Sequence, residues 1–104
     1  MIKVKVSNIG DEVNSIIITG HADYAEYGKD IVCSAVSSIV ITTVNAIFSF
    51  DTDYISYDEK KDKFVIEIKF HNELVDTLIA NMLNMLQEIE KDYPRNIKIR
   101  KENL

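Results

Sequence analysis

Cys33 is the only cysteine in a chain of 104 residues, and it follows His21, one of only two histidines. A thiol and an imidazole that can reach each other are the working parts of nucleophilic acyl transfer. The imidazole takes the thiol proton, the thiolate attacks a carbonyl, and the imidazolium returns the proton to the leaving amine. Both lie in the segment Gly20-His21-Ala22-Asp23-Tyr24-Ala25-Glu26-Tyr27-Gly28-Lys29-Asp30-Ile31-Val32-Cys33-Ser34-Ala35-Val36-Ser37. Gly20 and Gly28 bracket a loop, and a helix follows with Asp30 as its expected N-cap. Cys33 would then be the third helical residue. There, unpaired backbone N–H groups and the positive end of the helix dipole favour a thiolate and lower its pKa below the usual ~8.5. The same N–H groups could hold the oxyanion formed when the thiolate attacks.

Each of these residues also has a plainer role. Cys33 borders the apolar side of the helix, where a small buried hydrophobe is common. His21 could simply hydrogen-bond at a strand exit. Asp30 could cap the helix, worth ~1 kcal/mol, orient His21, or do both. A carboxylate beside Cys33 by itself opposes ionisation, so His21 would have to offset it. Ser37 shares a helix stripe with Asp30 and Cys33 but could bond a carbonyl one turn back. Tyr24 and Tyr27 could line a substrate pocket or close the loop over the core. His71 reads as a helix-entry residue without a catalytic role.

The elements that must position these residues follow from periodicity. Ile2, Val4 and Val6 alternate with Lys3, Lys5 and Ser7, which reads as a half-buried strand. Gly10-Asp11-Glu12 turns the chain into a β-branched strand over 15–19 that stops at Gly20, placing His21 at a strand exit. From Ile31 to Phe48, apolar residues recur at helical spacing. Val32, Ala35, Val36, Ile39, Val40, Thr43 and Ile47 form one side, and Ser34, Ser38, Asn45 and Ser49 the other. Ile41, Val44 and Phe48 form a second apolar line that could meet the other helix, a partner subunit or an apolar substrate.

Short strands are expected at 54–57 and 64–70 around a charged turn at 58–62. An amphipathic helix over 73–93 is carried by Leu74, Val75, Leu78, Ile79, Met82, Met85, Leu86 and Ile89 and ended by Pro94. A last strand holds Ile97 and Ile99. The order ββαββαβ gives a small α+β domain over 1–104, a sheet with two helices packed on one face.

Composition narrows the function. Apolar residues make up 46% and charged residues 28%, so the chain is expected to fold rather than remain disordered. A lone cysteine forms no internal disulfide, and two histidines with one cysteine do not make a structural zinc set. No cofactor or metal is expected. The N-terminus alternates instead of showing a signal peptide, and no 18 apolar residues run together, so a cytoplasmic location without membrane contact is expected. The net charge of -5 repels a phosphate backbone unless basic residues are segregated on one face, so direct nucleic-acid binding is not expected. A basic protein or peptide partner suits the balance better.

Gly20-His21-Ala22, Gly28 and the run from Asp30 to Ser37 closely resemble the signature of the ribosomal-processing cysteine protease family, Prp. The length and element order match along the whole chain. Ser34 departs from an alanine common in the family. The resemblance implies a homodimeric cytoplasmic endopeptidase that removes a short N-terminal extension from a bacterial large-subunit ribosomal protein (L-twenty-seven), cutting after an aromatic in a Phe-rich motif. By position it makes His21 and Cys33 the catalytic pair, Asp30 and Ser37 supporting residues, and Gly20 the hinge of a mobile loop, with Gly28 at its other end. A hinge implies that Gly20→Pro costs activity more than folding. The rival readings are a non-enzymatic ribosome-assembly or protein-binding module and a thiol redox protein. The latter lacks a Cys-x-x-Cys pair or any resolving cysteine.

Overall fold

The computed structural model describes residues 1–20 and 31–104 in full and the backbone of Lys29 and Asp30. The alternation of apolar and charged residues builds β1 (Ile2–Ile9), with Ile2, Val4 and Val6 buried and Lys3 and Lys5 exposed. Gly10, at φ 61, makes the turn into β2 (Glu12–Thr19). Next come α1 (Lys29–Phe50), β3 (Ile55–Lys60), β4 (Lys63–Ile68), α2 (Glu73–Asp92) and β5 (Ile97–Asn103), the expected order ββαββαβ.

The five strands form one sheet in the order β3-β4-β2-β1-β5. All pairs are antiparallel except β1 with β5, which lies parallel. Residues paired across strands share a face. One row therefore reads Ile99, Val4, Ile18, Phe64, and the next Val6, Ile16, Ile66, Tyr57. These rows join Val32, Val36, Val40, Val44 and Ile47 of α1 and Val75, Ile79, Met82, Leu83 and Leu86 of α2 in one core. Both helices thus cover the same side of the sheet.

β1, β2 and β3 run further than the local pattern suggests, while β4 stops at Ile68, short of the expected Phe70. The charges at 58–60 belong to β3, and only Lys61 and Asp62 make the turn. An edge strand with a face in water accepts such charges and gains protection from pairing with other chains. Two helical positions also differ. Val44, on the second apolar line, is fully in the core, while Met85 is 45% exposed and Leu83 is buried in its place. At 100° per residue Met85 and Leu83 fall on opposite sides of the line through Val75, Ile79, Met82 and Leu86, and the buried side is that of Leu83.

Asn72 caps α2: its side-chain oxygen accepts from the Val75 N–H at 3.0 Å. Asn72→Ala should lower stability by about 1 kcal/mol, read as an earlier urea midpoint with an unchanged slope. An unshifted midpoint would show that the cap is dispensable.

Residues 31–50 of α1 are long and apolar enough, by length and composition, to cross a membrane. Here the Val32, Val36, Val40 and Ile47 face is buried against the sheet, as in a core helix.

The side of the sheet away from the helices is charged. One row across all five strands is Lys98, Lys3, Thr19, Lys63, Lys60, and the next is Arg100, Lys5, Ile17, Val65, Asp58. Six of the chain's 12 basic residues share this face, and all six are exposed. The condition under which net charge would not exclude nucleic acid is therefore met.

Candidate active site

Sheet order explains why the cysteine has a cleft beside it. β2 pairs with β4, Thr19 opposite Lys63, which brings the β3–β4 turn alongside the end of β2. The Gly20 N–H donates to the Asp62 carbonyl at 3.2 Å. α1 then runs back over the sheet, and its N-terminal part forms the facing wall. The result is a cleft of about 520 Å³. Gly20, Cys33 and Ser37, three residues nominated from sequence, all line it. Its apolar surfaces come from Ile2, Ile18, Val36 and Phe64, and its rim from the hairpin at residues 59–63.

Gly20 is at φ 81, a conformation that L side chains rarely adopt. A Cβ there would approach the Met1 carbonyl oxygen to 2.5 Å. Gly20 therefore has a structural duty of its own: it ends β2 in a left-handed conformation directly beside the start of β1.

Cys33 is half-buried and packs against the core. α1 begins at Lys29, so Asp30 stands in the first turn rather than at the N-cap, and Cys33 is the fifth helical residue instead of the third. The reason is that Lys29 and Asp30 extend the helix by half a turn, and a carboxylate in a first turn suits the dipole. In a regular α-helix the fifth residue's N–H is already bonded to the carbonyl four residues back. An oxyanion would thus have to be met by amides ahead of Cys33. Ser37 lies one turn on. Among the described residues it makes no bond back to a helix carbonyl, in contrast to Thr43, whose Oγ1 donates to the Ile39 carbonyl at 2.8 Å. Ser37 lines the cleft.

His21, Tyr24, Tyr27 and Gly28 lie outside the described residues, as does the side chain of Asp30. The other histidine belongs elsewhere. His71 Nδ1 lies 3.0 Å from Glu12 Oε2 and 3.0 Å from Asp76 Oδ1. Glu12 opens β2 and Gly20 follows its end, so His71 and the cleft are separated by more than ~20 Å of strand.

The hairpin wall is the part of the site that sequence reasoning missed. No motif marks residues 59–64; they reach the cleft only through the β3-β4-β2 order. Phe64 stacks with Tyr57, ring centroids 6.1 Å apart. The Tyr57 hydroxyl is pushed up to about 12, first by burial, then by the negative charge of Glu59 and the hydrogen bond to it. It stays a neutral donor throughout the physiological range.

The family model described as "Cysteine protease Prp" matches residues 1–98. The chain belongs to the Prp family. A "Ribosomal processing cysteine protease Prp" of Staphylococcus aureus is 36% identical over 104 residues, covering 95% of this chain and 97% of that one. A crystal structure of an essential ribosomal processing protease Prp from S. aureus with a substrate peptide superposes with a TM-score of 0.88 at 31% identity, covering 98% of this chain and 100% of that one. The same S. aureus protease with a covalently linked product peptide gives 0.86 at 32% identity and the same coverage. The protein is a cysteine protease, and its five-stranded sheet with two helices is the fold of Prp. The binding-only and redox readings are set aside accordingly.

Proposed function

We propose that Cys33 is the nucleophile and His21 the base of a cytoplasmic endopeptidase that trims the N-terminal extension of a large-subunit ribosomal protein (L-twenty-seven). One observation carries the assignment: a cysteine protease needs a cysteine, this chain has one, and that one lines the cleft between α1 and the β3–β4 hairpin. Elimination extends it to the base. Of two histidines, His71 is engaged by Glu12 and Asp76 at the far end of β2, whereas His21 directly follows cleft-lining Gly20.

The chemistry then runs in two halves. His21 deprotonates Cys33, the thiolate adds to the scissile carbonyl, and the imidazolium protonates the departing amine to leave a thioester. Water, activated by the same imidazole, hydrolyses the thioester and frees the thiol. The covalently linked product in the S. aureus relative is of the kind such a route passes through. Asp30, in the first turn of α1, and Ser37, on the cleft wall, are supporting residues. Gly20 and Gly28 delimit the segment that carries His21, with Gly20 as its hinge, and Tyr24 and Tyr27 supply aromatic surface to the peptide. Ile2, Ile18, Val36 and Phe64 suit the phenyl rings of a Phe-rich motif and a cut after an aromatic residue. The unit is residues 1–104 acting as one domain, paired as a homodimer.

The test is to incubate the protein with a peptide spanning the extension and its junction and to follow products by mass spectrometry. One cut after the aromatic is expected, and changing that aromatic to alanine should slow it strongly. His21→Ala should lower kcat by roughly 10²- to 10⁴-fold, the range of a lost general base. A peptide left intact by active protein would overturn the substrate, and undiminished cleavage by His21→Ala would overturn the base.

A further inference from the structure

The helix-free face of the sheet carries charge that the protease chemistry does not use. Its first row is Lys98, Lys3, Thr19, Lys63, Lys60, with four lysines and no acid. Neighbouring strands lie ~4.8 Å apart, so this row spans ~19 Å. The second row adds Arg100 and Lys5 against Asp58. Lys5 is bound to Glu102 at 2.9 Å, and Lys60 lies 3.8 Å from Asp58. Among the described residues, Lys3, Lys63, Lys98 and Arg100 have no carboxylate within ion-pair distance. The third row, Glu102, Ser7, Ser15, Glu67, Ser56, brings two acids, so the three rows hold six basic residues against Asp58, Glu67 and Glu102, a basic surplus in a chain of net charge -5.

We propose that this face docks on the phosphate backbone of double-helical RNA. The charge pattern selects a polyanion, because four lysines aligned across five strands face a continuous line of negative charge better than a single acidic side chain. A second copy of the chain is a poor occupant. A two-fold dimer through this face would set lysines against lysines, and a head-to-tail contact with the acidic remainder would not close. The surface between the lysines is Thr19, Ile17 and Val65, with no aromatic ring to stack on unpaired bases. Recognition is therefore through the backbone, independent of sequence and sensitive to salt. Thr19, at the middle of the first row, directly precedes cleft-lining Gly20, and Lys63 and Lys60 of that row also border the cleft, so docked RNA would lie next to it. A substrate protein already seated on RNA would meet the protease there. The docking itself does not depend on which peptide is cut.

The experiment measures fluorescence anisotropy of a labelled RNA duplex with the whole protein over a salt series starting near about 50 mM. Binding should weaken steeply with salt, with a log–log slope of about −3 to −5 for four to six phosphate contacts. The triple variant Lys3→Ala, Lys98→Ala, Arg100→Ala should bind at least roughly tenfold more weakly and lose about 2 to 3 from that slope. Its circular dichroism melt and its cleavage of free peptide should match wild type. The control triple Lys91→Ala, Arg95→Ala, Lys101→Ala, away from this face, should leave the slope nearly intact. If the first triple melts early, Lys98→Glu alone provides the same comparison at an edge strand. Absence of RNA binding at low salt, equal losses in the two triples, or tighter binding to polyglutamate or to single-stranded RNA would each overturn the proposal.

Discussion

Cys33→Ala is expected to end peptide cleavage, lowering turnover by at least roughly 10⁴-fold, the scale seen when a covalent nucleophile is removed. The substitution deletes a single sulfur from a half-buried site that packs at the margin of the core. Its cost in stability should stay near ~1 kcal/mol, because little apolar area is lost and alanine suits a helix. Activity and stability therefore separate: cleavage followed by mass spectrometry vanishes while the thermal melt hardly moves. Cys33→Ser gives a sharper version, since it keeps the shape and replaces a thiol with a far weaker nucleophile. Measurable cleavage by Cys33→Ala would mean that another group attacks the peptide. A collapsed melt would instead make Cys33 primarily a packing residue.

Gly20→Pro should unfold the protein or lower its melting temperature steeply, before any effect on activity can be read. Proline holds φ near −65°, whereas Gly20 sits at φ 81. Proline also has no N–H to give to the Asp62 carbonyl, so the link between the β2 exit and the β3–β4 turn is lost. Together these should cost ~3 kcal/mol or more. Gly20→Ala keeps the N–H but brings its Cβ against the Met1 carbonyl, adding steric conflict to ~1–2 kcal/mol for the left-handed backbone. A urea titration of both variants checks this, with alanine expected to be the milder. The φ of 81 and the bond to Asp62 argue against the sequence-based expectation that proline costs activity more than folding, and a proline variant does not isolate hinge motion. An unchanged midpoint for Gly20→Pro would show that the turn is not needed as seen.

Most of the architecture was legible because each element announces its own period. β1 alternates, α2 repeats at helical spacing, and Pro94 and the glycines punctuate the chain. Boundaries were less legible where charge and burial part company. Asp58, Glu59 and Lys60 look like a turn, but β4 supplies the backbone partners that make them a strand. At the site, Cys33, Ser37 and Gly20 could be nominated because they crowd one stretch of sequence. Phe64 and the hairpin rim could not. They join the cleft through strand pairing between segments far apart in the chain, which no local pattern encodes. The placement of α1 was also off by two residues, enough to move Cys33 past the open amides of the first turn. The basic face was hidden for the same reason as the hairpin: Lys3, Lys63 and Lys98 are scattered in sequence and meet only in the sheet.

The parallel pairing of β1 with β5 has a further consequence for how the molecule comes into being. Ile2 finds its partner in Ile97, and the register continues to Asn8 and Asn103. Until residues 97–103 have been made, β1 is an edge strand with one side of its backbone open. It holds Ile2, Val4 and Val6 against a core that lacks Ile97. Such an edge is a template for pairing with other chains, and contacts this distant in sequence form slowly. Any N-terminal fragment ending before β5 would be adhesive, so the vulnerable interval in the life of this protein is the one before its last strand is in place.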